Sequence, residues 1–362
     1  MRNPLLFARV AITLALAWAA AAACVALHTP LPWMIGPLLV TAAVSMFGLP
    51  TESWTPLRNA GQWTIGAALG LYFTPEMATL VAGLWWAVLL GIAWALLLGV
   101  GFGAWLHRLH APRMADVSAE TMRATCYFAG AIGAASEMTL MAERLGARTE
   151  LVAAAHSLRL MLVVVLIPFG LQAWGLTGID LTPAGPRAVH AVGLLLLAAA
   201  TGAGAWLMGR TGRANPWFMG ALLVSVGLTM GSVTLSAMPQ WLSNAAQLVI
   251  GVSLGVRFTA QFVHTAPRWL ASVAVGTLVM MVLCAGFAWL LSLATGLHAV
   301  TLLLGTSPGG ITEMSITAKV LRLGVPVVTA FQVCRLVAVL LLATPLWHWL
   351  QARRRQTARA RN

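Results

Sequence analysis

Pro32-Trp33-Met34-Ile35-Gly36 returns, 184 residues further on, as Pro216-Trp217-Phe218-Met219-Gly220. Downstream, Asn59-Ala60-Gly61-Gln62 is followed by Ile65-Gly66, Leu69-Gly70 and Phe73-Thr74. At an offset of 185 this series is answered by Asn244-Ala245-Ala246-Gln247, Ile250-Gly251, Leu254-Gly255 and Phe258-Thr259. Gly133, Glu137 and Met138 then match Gly309, Glu313 and Met314 at an offset of 176, and Arg159 matches Arg335 at the same offset. Chance matches among apolar residues are common, but matched Asn, Gln, Glu and Arg in apolar surroundings are not. The chain reads as an internal duplication.

The surroundings are apolar throughout. Of 362 residues, 60% are hydrophobic and 9% charged, with a mean hydropathy of +0.86. Soluble domains carry about 25% charged residues, and a chain this apolar has too little polar surface to face water. The lipid bilayer is its expected partner. The formal net charge of +13 is scattered through short polar segments and a tail with Arg353, Arg354, Arg355, Arg359 and Arg361. That placement follows the positive-inside bias of membrane proteins, so no direct nucleic-acid binding is expected. Cys24, Cys126, Cys284 and Cys334 lie in apolar stretches without a CxxC and read as small core residues. The first thirty residues resemble a secretory signal, with Arg2 and Arg9 before an apolar run and Ala19 to Ala23 before Cys24. A retained first helix is preferred, because this segment has a counterpart in the second half.

Ten segments are long enough to cross a bilayer, since about 20 apolar residues span its core. They lie near 7–27, 31–48, 59–75, 79–106, 150–175, 189–209, 216–235, 242–258, 269–296 and 327–349. Two further apolar stretches, 119–145 and 299–322, are interrupted by glycine and polar residues. If these cross, each half has six spans and both halves point the same way. If they are re-entrant, each half has five and the second is upside down. With the amino terminus inside and re-entrant hairpins, most arginines fall inside, and only Arg187 and the Lys319–Arg322 hairpin fall outside. Crossing would move Arg210, Arg213, Arg257 and Arg268 outside, a poorer fit. The expected fold is therefore an all-α polytopic membrane protein of about ten transmembrane helices. They form two inverted five-helix repeats, each with a re-entrant or broken-helix segment, and both termini are cytoplasmic. The first repeat is placed at 1–177, a linker at 178–188 with Gly178, Pro183, Gly185 and Pro186, the second repeat at 189–350, and a basic tail at 351–362. A homo-oligomer is left open.

The doubled Pro-Trp-x-x-Gly and Gln-x-x-Ile-Gly blocks, with the Glu-Met pairs, resemble the AbrB-type duplicated inner-membrane proteins of bacteria, over residues 10–350. The resemblance implies a multi-pass protein of the bacterial cytoplasmic (inner) membrane, similar in outline to transporters built from five-helix inverted repeats. Members carry two inherited labels, ammonia monooxygenase and regulator of gene expression. Oxidation at copper or iron needs converging ligands. Of the eight histidines only His107 and His110 have ligand-like spacing, and they are placed in a basic loop. No enzyme activity, metal or cofactor is expected. For the regulator label there is no helix-turn-helix outside the membrane segments, so any change in expression would be indirect. No Walker, Rossmann or nucleophile-elbow motif is present.

Nine acidic residues exist, and two stand in matched interrupted stretches. These are Gly133-Ala134-Ala135-Ser136-Glu137-Met138 and Gly309-Gly310-Ile311-Thr312-Glu313-Met314. Ser136 and Thr312 are placed as N-caps, putting Glu137 and Glu313 in the first turn of a half-helix. A first-turn carboxylate also complements the helix dipole with no further role. A charge at bilayer depth, however, costs about 2.5–3.5 kcal/mol, and such residues mark ion and proton pathways. Broken helices at a repeat interface are where inverted-repeat transporters hold their ligands. Arg159 and Arg335 are read as charge-balancing partners of a Glu or of an anionic substrate. Gln62 and Gln247, beside Gly66 and Gly251, are read as lining a polar cavity. Inter-helix hydrogen bonds are expected for Asn59 and Asn244, and tight helix packing for Gly66, Gly70, Gly251 and Gly255. The expected function is a secondary transporter of an unknown small solute, coupled to protons or cations, with one half moving against the other. A non-transporting membrane component that alters expression indirectly is the alternative.

Overall fold

The computed structural model describes residues 4–113, 118–176, 178, 188–212, 215–260 and 267–359. The breaker residues Pro183, Gly185 and Pro186 of the expected linker, with Arg187, Arg213 and Arg361, lie outside the described residues. Fifteen α-helices and no strand occur among the described residues. They are α1 (Pro4–Ala26), α2 (Pro32–Met46), α3 (Thr55–Gly70), α4 (Pro75–Gly83), α5 (Trp85–His110), α6 (Ala119–Gly130), α7 (Ala135–Arg144) and α8 (Thr149–Ala173). The remainder are α9 (Ala191–Arg210), α10 (Pro216–Met230), α11 (Gln240–Gly255), α12 (Pro267–Thr295), α13 (Ala299–Thr306), α14 (Ile311–Val320) and α15 (Val325–Arg359).

Six of these, α1, α5, α8, α9, α12 and α15, are long and apolar enough to cross a membrane. Their outer faces carry bare aliphatic side chains, such as Leu195 and Val282, each 71% exposed. Such surfaces suit hydrocarbon rather than water. The helices α2 and α10 have only 15 residues each, shorter than the stretches expected to span. The segment expected as one span at 79–106 takes in the end of α4 as well as α5, which begins afresh at Trp85, and the chain bends by 89° before it, between α3 and α4. α15 runs without interruption to Arg359, into the residues read as a basic tail. His107 and His110 lie in the last turn of α5 rather than in a loop, and His110 Nε2 is 3.0 Å from Ser272 Oγ in the interior.

Both Pro-Trp blocks open a helix with proline at the first turn, where its missing N–H is harmless. The preceding residues, Leu31 and Asn215, are both left-handed, at φ 45° and 47°. Asparagine adopts this conformation readily, whereas leucine does so at a steric cost, offset here by complete burial of Leu31.

The helices pack in reciprocal pairs. α3 lies on α10 and α2 on α11, α1 lies on α2 and α9 on α10, and α8 packs on α12 where α15 packs on α5. Glycine makes the first two crossings so close. A Cβ on Gly66 would sit 2.4 Å from the Phe218 carbonyl oxygen, and one on Gly251 would sit 2.5 Å from that of Met34. Gly70 and Gly255 meet Ser225 and Thr41 in the same manner. The packing sorts the helices into two groups that each draw on both halves. One contains α1–α3 with α9–α11, the other α5–α8 with α12–α15. Contacts between the groups run chiefly through α3 with α14 and α15, and through α4 with α10 and α15. Helices from the two halves are interleaved within each group, so neither half packs as a separate body.

Two breaks, between α6 and α7 and between α13 and α14, leave carbonyl groups in the interior without helical partners. An arginine from the last long helix of each half satisfies them. Arg159 donates to the carbonyls of Ala129, Gly130 and Ala131, at 3.3, 3.4 and 2.9 Å. Arg335 donates to the carbonyls of Ser307 and, at 2.8 Å, Gly309. Each guanidinium is steadied from three residues earlier. Arg159 donates to His156 Nδ1 at 2.7 Å, and His156 Nε2 meets the Phe128 carbonyl at 2.9 Å. Arg335 donates to Gln332 Oε1 at 2.5 Å, and Gln332 Nε2 donates to the Leu304 carbonyl at 2.6 Å. Since a carbonyl only accepts, His156 carries its proton on Nε2, and so offers one donor and one acceptor just as the Gln332 amide does. Over each break lies a fully buried methionine, Met138 against Gly133 and Met314 against Gly309.

Two predictions follow from this packing. Gly66→Ala and Gly251→Ala force backbone apart and should each cost about 1–3 kcal/mol, seen as a lower Tm of the purified protein. Gly227→Ala, which meets no atom within 4 Å, should leave Tm unchanged. His156→Gln copies the second half and should keep wild-type stability, whereas His156→Leu removes a donor and an acceptor and should lower it by about 1–3 kcal/mol. Equal Tm for the two His156 variants would contradict the equivalence.

Candidate functional site

A cavity of about 200 Å³ lies where the two groups of helices meet. From the first group come Arg58 and Gln62 of α3, Asn215 before α10, and Ile250, Ser253 and Leu254 of α11, with Arg257 just beyond it. From the second come the loop and start of α7 (Gly133–Ser136), His156, Arg159 and Leu160 of α8, and the loop and start of α14 (Pro308–Glu313). The starts of two broken-chain helices, one from each half, thus face one space.

Of the expected site residues, Glu313, Thr312, Ser136, Gln62 and Arg159 line this cavity. Glu137, Gln247 and Arg335 are not among its lining residues. Neither Ser136 nor Thr312 is an N-cap. The caps are Ala134 and Gly310, with no side-chain hydrogen bond, so each helix starts two residues earlier than the hydroxyls suggest. Both glutamates still fall in the first turn. Arg159 and Arg335 form no ion pair with a glutamate. The ion pair between described residues is Arg148 with Glu150, at 2.7 Å on the surface. The two arginines are held instead by main-chain carbonyls, whose need for donors is greater. Asn244 accepts from Gln240 within α11, at 2.9 Å, rather than from another helix.

The two glutamates part company for a local reason. Glu313 is 6% exposed, whereas Glu137 is only half-buried. The Glu313 carboxylate folds back on the cap of its own helix, so that a Cβ on Gly310 would fall 1.9 Å from Oε2. In the first half, Ala134 stands where Gly310 stands, and its methyl fills the space that such a fold-back requires. One methyl group separates a carboxylate tucked into the cavity from one turned out of it.

The electrostatics are uneven. Three arginines, Arg58, Arg159 and Arg257, share the wall with one carboxylate, Glu313. Glu313 and Arg257 influence each other through space without an ion pair within 4 Å. Next to the cavity is an open recess of about 420 Å³, lined by Ala135, Ser136, Thr139, Glu150, Ala153, Ala154, Ser157 and Arg257. Ala135, Ser136 and Arg257 belong to both spaces, so the open recess adjoins the cavity on the α7 side. Its counterpart α14 is buried without interruption from Ile311 to Ala318.

Arg58, Arg257, Asn215, Ser253 and His156 were not singled out from sequence as site residues. Only His156 carried a signal: the 176-residue offset that pairs Arg159 with Arg335 also pairs it with Gln332. Among the described residues, no group of three or more His, Cys, Asp or Glu side chains is placed to hold a metal ion.

Comparison with known proteins finds relatives over most of the chain. The "Putative regulator AbrB" of Escherichia coli (strain K12) is 26% identical over 323 residues, covering 87% of this chain and 89% of that protein. The "Uncharacterized protein YhjN" of Bacillus subtilis (strain 168) is 25% identical over 349 residues, covering 88% and 87% respectively. No solved structure matches. The profile of the family described as "Transition state regulatory protein AbrB" matches residues 33–351, nearly the whole duplicated region, and the chain belongs to the AbrB family.

Proposed function

We propose that this protein is a secondary transporter of a small solute in the bacterial cytoplasmic membrane, built from two inverted five-helix repeats that supply ten spans. The observation that carries the reading is the cavity bounded by the starts of α7 and α14, one broken helix from each half, with Glu313 in its wall. Sites of this kind, at broken helices between repeats, are how inverted-repeat transporters bind substrate and coupling ion. The reciprocal packing of α2, α3, α10 and α11, and the matched arginine networks at the two breaks, favour a pseudo-twofold relation between the halves. Transport then proceeds by the α5–α8 and α12–α15 group moving against the α1–α3 and α9–α11 group, across the interface that holds the cavity.

The positive-inside bias puts the amino terminus and the end of α7, with Arg144 and Arg148, on the cytoplasmic side. On that topology the recess along α7 faces the cytoplasm and the side along α14 is sealed. Exchanging the conformations of the two halves yields an outward-open state, in which α14 is uncovered and Gln247 takes the place that Gln62 has here. Glu313 is the group assigned to carry the coupling proton. The proposal gives the chain no enzymatic step, no metal and no nucleic-acid partner.

The second reading, a membrane component that alters gene expression without carrying a solute, is favoured by the relative named as a regulator. Altered expression in a deletion strain that transport-dead variants fail to rescue would assign it to flux. Full rescue by such variants would favour the second reading.

Two outcomes are expected. In proteoliposomes, Glu313→Gln should reduce coupled flux at least about tenfold with little change in Tm, while Glu137→Gln should have a smaller effect; a tenfold change corresponds to about 1.4 kcal/mol. Second, in a variant whose four cysteines are replaced by alanine, Ser136→Cys should react from the cytoplasmic side with a membrane-impermeant thiol reagent, and Thr312→Cys should not. Equal labelling of both would contradict the one-sided opening.

A further inference from the structure

We infer that the cavity takes a small organic anion carrying one or two carboxylates. The inference rests on the transport reading for how the ligand comes and goes, but its support is separate. Three guanidinium groups face the space against one carboxylate, and His156 is held neutral by its two hydrogen bonds. The wall therefore carries an excess of two positive charges when Glu313 is ionised. A cationic solute would be repelled, and an uncharged one would gain less from the arginines than a carboxylate does.

Two of those arginines are unspent. Arg58 and Arg257 make no hydrogen bond or ion pair among the described residues; Arg257 is exposed, so water reaches its donors, whereas Arg58 Nε is shut away from solvent with no acceptor. Unmatched guanidinium donors at a cavity are the groups that recognise carboxylates in a forked geometry. Arg159 differs, because its donors go to Ala129, Gly130, Ala131 and His156, so it contributes charge rather than free donors.

The two uncapped helix starts add to this field. At α14 the position is taken by the protein's own carboxylate, since Glu313 folds back on Gly310. At α7 no side chain caps the N-cap residue Ala134, and the residues that begin this ten-residue helix, Ala135 and Ser136, border the same space as Arg58 and Arg257. An incoming carboxylate placed there meets arginine donors and main-chain amides together.

The rest of the wall argues for an organic rather than an inorganic anion. Leu160, Ile250, Leu254 and Ile311 supply an apolar surface beside the charged one, which a carbon skeleton fills and a phosphate or sulfate does not. A volume of about 200 Å³ holds roughly six or seven waters at about 30 Å³ each, enough for an acid of a few carbons.

The full-length protein, purified in detergent, tests this by thermal shift with acetate, succinate, inorganic phosphate and choline, followed by counterflow in proteoliposomes. Succinate should raise Tm, acetate should do so more weakly, and phosphate and choline should not. Arg58→Gln and Arg257→Gln should each raise the apparent Kd for succinate by about tenfold or more, while Arg257→Lys, which keeps the charge but not the forked donors, should restore only part of the binding. Because Arg257 makes no hydrogen bond among the described residues, its variants are expected to fold. Stabilisation by choline or phosphate alone, no response to either carboxylate, or wild-type binding by both Gln variants would overturn the assignment. Arginine-dependent succinate binding without counterflow would remove the transport reading and leave the anion site standing. Counterflow of a cation without carboxylate binding would do the reverse.

Discussion

A helix that stops inside an apolar protein leaves carbonyl and amide groups that neither water nor lipid can satisfy. Everything unusual about this fold follows from how that debt is met at two places. At each break a guanidinium spans several carbonyls at once, a task that suits its planar set of five donors. The residue three positions before it, on the same helix face, accepts from the guanidinium and donates to another freed carbonyl. That this residue is histidine in one half and glutamine in the other shows that the requirement is for one donor and one acceptor, not for a particular ring or chain. With the carbonyl side of each break secured, the amide side is free to face a cavity, and α7 and α14 present their first turns there.

The second constraint is steric. Because Gly66 and Gly251 let α3 and α2 lie against the backbone of α10 and α11, helices from opposite halves are locked together. The duplication therefore does not divide the molecule where the sequence divides. Two mixed groups result, and the cavity lies on the seam between them. Within this near-symmetric frame the departures are small and local. Ala134 in place of Gly310 keeps Glu137 from the fold-back that Glu313 makes, and α7 is partly uncovered where α14 is not.

Much of this was legible in the chain. Matched polar residues in apolar surroundings gave the duplication, and the positions of Glu137, Glu313, Arg159 and Arg335 at or near the breaks. The partners of the arginines were misread, because matched charges of opposite sign in apolar surroundings suggest ion pairs, whereas the unsatisfied carbonyls of a broken helix are visible only in three dimensions. The N-caps were misread at Ser136 and Thr312, since hydroxyls next to an apolar run look like caps even when the helix has already begun. Arg58 and Arg257 looked like ordinary residues at the ends of helices. Their convergence depends on the crossing of α3 with α11, which no local pattern encodes. The break between α4 and α5, likewise, is hidden in a stretch that is apolar on both sides of it.

The claim at the centre is that both chain breaks lie inside the bilayer and are closed by arginine–carbonyl networks, with one cavity between them. A cryo-electron microscopy map of the protein in lipid nanodiscs tests it most directly. The account predicts both breaks near the middle of the lipid slab, side-chain density of Arg159 and Arg335 joined to the carbonyls of residues 129–131 and 307–309, and solvent density entering along one broken helix only. Breaks standing in water outside the slab, or guanidinium groups turned to the glutamates with the carbonyls left bare, would contradict it.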